Sequence, residues 1–149
     1  MKTKTKAAII TFAVAVPAFV TGRMIWPPAE GATPPTAAQI PHLMFLSGVE
    51  AIALGLGVAF LVLAWPMVKR VPAADRKRTV AAYLSLSWLL INWWSHDNMH
   101  AHNGENFDGL IRIEYGYHVT LVIAALIVAH WFLKALPKAV PQVPSPPQQ

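Results

Sequence analysis

The chain contains no cysteine. Disulfides, Cys-rich zinc ribbons, thiolate-held iron–sulfur clusters and thiol nucleophiles are therefore excluded, and the redox compartment is unreadable from composition. Charge is scarce too: 13% of the 149 residues are Asp, Glu, Lys or Arg, against roughly 25% in soluble domains. There is no Gly-rich phosphate loop, no nucleophile elbow and no H-E-x-x-H, so several common enzyme classes lack their carriers. What the chain has in excess is apolar surface. Hydrophobic residues make up 55% of it, more than a core of this size can hide. Lipid is the expected solvent and partner.

Four apolar runs, 7–26, 40–68, 79–95 and about 113–136, each reach or approach the length that crosses about 30 Å of hydrocarbon, and helices are expected at about 7–26, 40–68, 79–102 and 113–136. The stretch 27–39 holds four prolines and a glycine and reads as an extended loop. Residues 137–149 form a Pro/Gln-rich segment with too few apolar anchors to order itself. The fold class expected is an all-α integral membrane four-helix bundle, a single domain over 1–136 with a disordered cytoplasmic tail.

Sidedness follows from the basic residues. Lys2, Lys4 and Lys6, then Lys69, Arg70, Arg76, Lys77 and Arg78, then Lys134 and Lys138 account for ten of the twelve Lys and Arg. The positive-inside rule places both termini and the middle loop in the cytoplasm of a cell-membrane protein. No small-x-small cleavage site follows the first apolar run, so it is expected to be retained as a helix. The same belt explains the basic charge without nucleic acid.

The acids and histidines are placed the other way. Glu30, Glu50, Asp97, Glu105, Asp108, Glu114 and five of six histidines fall in the outer half, which the insertion rule does not require. Counted from the last cytoplasmic charge, Glu50 is 19 residues from Lys69, His96 is 18 from Arg78, and Glu114 and His118 are 20 and 16 from Lys134. At about 1.5 Å per residue these four lie within roughly 6 Å of one height. Three helices thus supply ionisable groups to one layer, and an acid there should face inward.

His96-x3-His100 and Glu114-x3-His118 are helical pairs that project from one face each, the way bundles assemble metal sites. His102 and Asp97 lie close in sequence as further donors. The expected metal ligands are His96, His100, His102, Glu114, His118, Glu50 and Asp97, for copper, zinc or iron; Met24, Met44 and Met99 add a weaker pointer to Cu(I). Ser85, Leu89 and Asn92 continue the His96 stripe inward. His42 and His130 read as an interfacial anchor and an intrabundle group, and the Asp/Asn residues at 97–108 miss the EF-hand pattern.

The function expected is metal handling or metal-dependent redox chemistry at an outward-facing site. One alternative is an accessory or proton-handling subunit, with another membrane protein or a second copy as partner, in which the layer is a polar lock or relay. Another is a b-type haem bundle with His96 and His118 as axial ligands.

Overall fold

A computed structural model describes residues 2–104 and 106–135. Glu105 and the tail expected at 137–149 lie outside the described residues. Among the described residues the chain is all-α, with no strand. The elements are α1 (Thr3–Ile25), α2 (Ile40–Lys69), α3 (Ala73–Asn103), α4 (Phe107–Ile113), a π-helical segment (Glu114–Val119) and α5 (Thr120–Ala135). The last three run on without a break, so the architecture is four rods.

Local chemistry sets the ends. Pro27 and Pro28 follow the end of α1, and Pro41 stands in the first turn of α2, where its missing N–H costs nothing. Pro72 caps α3 and Asp75 sits in its first turn, favourably placed against the helix dipole. Gly104, at φ +58°, ends α3 in the left-handed region that glycine tolerates. The Asn106 side chain accepts the Gly109 N–H at 3.1 Å and so caps α4.

α1, α2 and α3 pack through small residues. Ala15, Ala18 and Ala51 form a core against Leu54 and Trp94. A Cβ on Gly55 would stand 2.2 Å from the Thr11 carbonyl oxygen, and one on Gly57 would stand 2.6 Å from Ile91, so both glycines are required by close approach. Trp94 donates its indole N–H to the Ala18 carbonyl at 3.2 Å and meets Trp26 edge-on at 4.9 Å. The fourth rod packs chiefly on α3.

Among the described residues three helices are long and apolar enough to cross a membrane: Thr3–Ile25, Ile40–Lys69 and Asp108–Ala135. The fourth expected span, α3, is not among them. It is 31 residues long, but Asp75, Arg76, Lys77 and Arg78 occupy one end and His96, Asp97, His100 and His102 the other. Its helix also begins at Ala73, ahead of the apolar run, because Pro72 sets the start. Much of the outer surface of the rods is apolar, with Phe12, Val20, Phe45, Val62, Leu126 and Leu133 all exposed.

Candidate functional site: an imidazole–carboxylate ring

Helical spacing puts His96 and His100 one turn apart on α3, and packing of the fourth rod against α3 brings up Glu114 and His118. The four side chains close a ring. His96 Nε2 and His100 Nε2 stand 3.0 Å apart. His100 Nε2 lies 3.6 Å from Glu114 Oε1. Glu114 Oε2 pairs with His118 Nδ1, and the His118 ring returns to His96 at 4.9 Å between centroids. His96 is buried, at 7% exposure, whereas the Glu114 and His118 side chains are half exposed at 48% and 49%.

The hydrogen bonds assign the tautomers. Asp97 Oδ1 stands 2.7 Å from His96 Nδ1, and an ionised carboxylate can only accept, so that nitrogen carries the proton. His96 Nε2 is then left with a lone pair turned into the ring, where the N–H of His100 meets it. A carboxylate on the outer nitrogen of an imidazole is the arrangement that orients metal-binding histidines.

Aromatic residues wall this side of α3. Tyr117 meets His96 edge-on at 5.3 Å, stacks on Trp88 at 6.0 Å, and donates its hydroxyl to Met99 Sδ at 3.3 Å. Trp88 in turn donates to Thr120 Oγ1 at 3.0 Å. Asn92, one turn inward of His96, is fully buried, and neither side-chain atom has a partner.

The remaining expected ligands lie elsewhere. Glu50 sits on α2 across from Asp97. Both line a cleft of about 240 Å³ with Arg23, Ser47 and His100. His102 turns to the loop and donates from Nδ1 to the Pro27 carbonyl at 2.7 Å. Met24 and Met44 are exposed, so of the three methionines only Met99 belongs to the site's surroundings. His130 borders a crevice with Arg78 and Trp131 in the other half of the bundle. The His96 and His118 rings lie tilted by 50° to each other at that 4.9 Å separation, so they stand in direct contact.

Among the described residues no group of three or more His, Cys, Asp or Glu stands in a geometry that could hold a metal ion. The physical reason lies in the direct contacts: the Glu114–His118 bond and the His96–His100 bond each occupy two donors. Sequence reasoning missed Asp97 as a support for His96, the Trp88–Tyr117–Met99 wall and the proximity of Arg23. No family model matches the chain, and no curated protein and no solved structure matches it.

Proposed function

We propose that this is a small polytopic membrane protein whose outer-layer ring of His96, His100, Glu114 and His118 takes up a transition-metal cation, for metal handling or metal-dependent redox chemistry. The observation that carries this reading is the convergence of three imidazoles and one carboxylate from two helices, with Asp97 fixing His96 so that its free nitrogen faces the others. A bound cation would replace the hydrogen bonds that now close the ring, and the donor set suits zinc, copper or iron. Glu50 and His102 are outside this ligand set, and Asp97 supports it from behind.

The topology that accompanies this reading has four spans in the cell membrane, α3 included, with both termini in the cytoplasm and the His-rich end outside. Its support is the asymmetry of Lys and Arg; Arg76, Lys77 and Arg78 are exposed at one end of α3, where the cytoplasm would solvate them, and His96 and Asn98 are buried at the other. Because the chain lacks cysteine, single cysteines report sidedness directly. Those at Ala32 and Asn103 should label from outside and one at Ala74 only from inside; external labelling at 74 would overturn the topology.

The ring is tested by metal analysis of the full chain, purified in detergent, incubated with zinc, copper(I) or iron(II) and desalted. Wild type should retain metal, His96→Ala and His118→Ala should lose it, and His130→Ala should match wild type. Equal metal in all four would sink the site. A second reading, a polar lock between α3 and the fourth rod with no metal, is favoured by the directness of the ring contacts. It expects no retained metal in any variant and a lower melting temperature for His96→Ala than for His118→Ala, in keeping with their burial.

A further inference from the structure

The fourth rod presents one face to α3 and leaves the opposite face uncovered. Tyr115, Val119, Val122, Leu126 and Leu133 on that face are 46–70% exposed, and Ala129 is exposed with them. They recur at steps of four and three residues, the spacing of a seam that a second helix running alongside can fill. Lipid alone would satisfy the apolar positions. It does not satisfy the half-exposed ionisable groups that flank this face at its outer end.

Glu114 and His118 are half exposed, and His118 is 16 residues from Lys134, about 24 Å along the rod and below the outer edge of the hydrocarbon. Ionisable groups at that depth are costly against lipid and are normally covered by protein. Arg112 is exposed as well and makes no ion pair among the described residues. It stands about 200° around the helix from Glu114, so Arg112 lies on one flank of the seam and Glu114 and His118 on the other. A two-fold axis along the membrane normal brings each flank of one copy against the opposite flank of the other, at equal depth. Arg112 of each copy then faces the Glu114 flank of its mate, twice over.

We propose that the uncovered face of the fourth rod is the interface of a parallel homodimer, with Tyr115, Val122 and Leu126 along the seam and Arg112 of each copy set against Glu114 of the other. The second copy closes the open side of both rings. The inference rests on the membrane reading and the site's placement, and its test does not use metal.

Single cysteines in an otherwise unchanged full-length chain, treated in native membranes with a short bismaleimide, decide it. Leu126→Cys lies on the seam; Ala125→Cys is exposed and at the same depth but about 100° away. Leu126→Cys should give several-fold more cross-linked dimer than Ala125→Cys. Adding Arg112→Glu should lower that yield several-fold, and adding Glu114→Arg to Arg112→Glu should restore it. Equal yields at 125 and 126, or no dimer at 126, would overturn the proposal, the latter leaving another protein or lipid as the cover. Should Arg112→Glu fail to accumulate, the comparison between 125 and 126 stands without it. Recovery of the chain in the soluble fraction would instead overturn the membrane reading.

Discussion

α1, α2 and α3 are held by close backbone approach, and the fourth rod is not. In the first region Gly55 lies so near Thr11 that no side chain fits between them, Gly57 is filled by Leu90 and Ile91, and Trp94 reaches across to Ala18. In the second, one face packs on α3 and the other is open, and Gly116 has nothing within 4 Å of where a Cβ would stand. The ring lies across the boundary between the two. His96, His100 and Asp97 belong to the tightly packed side; Glu114 and His118 ride on the looser rod, in a π-helical segment of the kind often found at functional sites. Half of the donor set is therefore fixed and half is adjustable, which suits a site that must exchange its hydrogen bonds for a cation.

The largest effect expected from this contrast is at Gly55. Gly55→Ala forces a methyl into the Thr11 backbone, which neither helix can yield without moving as a whole, so the fold should lose about 3 kcal/mol or more. Unfolding in mixed micelles, followed by far-UV circular dichroism, reads this directly. A loss under about 1 kcal/mol would mean that α1 and α2 are not held at that contact.

The next effect is on the ring. Asp97→Asn keeps the size of the side chain but removes the carboxylate that orients His96, and second-shell changes of this kind typically lower metal affinity by about 10–100-fold. Competition with a chelator for bound zinc measures it. Because the ring itself keeps all four donors, His102→Ala serves as the control and should leave affinity unchanged while freeing the Pro-rich loop to proteolysis. Equal affinity in wild type and Asp97→Asn would remove Asp97 from the site.

Much of this geometry was legible in the residues, and the rest had definite physical reasons for being hidden. Counting from cytoplasmic charges placed His96, Glu114 and His118 at one height, and the structure brings them together. The same count placed Glu50 with them, yet Glu50 makes no ion pair with the ring and lines the cleft that Asp97 borders on the α2 side. Neighbouring residues on a helix point about 100° apart, so His96 and Asp97 cannot both face the fourth rod, and Asp97 turns to the α2 side. His102 was grouped with the ligands by sequence distance alone, and the hydrogen-bonding need of the loop backbone at Pro27 claims it. The apolar run at 79–95 indicated α3, but its true start at Ala73 depends on Pro72, which hydropathy does not register. That the fourth rod would lean on α3 and leave a face open is a matter of tertiary packing, and no periodicity in α5 announces it.

A smaller effect, of opposite sign, is expected at Asn92. Its amide is fully buried with both polar atoms unpartnered, a state that costs about 1–3 kcal/mol. Leu has the same branched skeleton of heavy atoms, somewhat bulkier, and no polar atoms to satisfy, so Asn92→Leu should raise stability by up to about 1 kcal/mol in the same micelle assay. Destabilisation would show that the amide has a partner of functional weight, and a parallel fall in zinc retention would place that partner at the ring.

The smallest effect returns to glycine, now on the loose rod. Gly116→Ala makes the same chemical change as Gly55→Ala, but the added methyl enters open space. Glycine within a helix is less favourable than alanine by roughly 0.5–1 kcal/mol, because it gives up more backbone freedom on folding. Gly116→Ala should therefore leave stability unchanged or raise it by up to about 1 kcal/mol, with zinc retention as in wild type. The two substitutions share their effect on the unfolded chain, so the difference between them isolates the packing of the two regions. A loss at 116 approaching that at 55 would mean that the π-helical segment needs glycine for its own geometry, and that the rod is held more tightly than its exposed surface indicates.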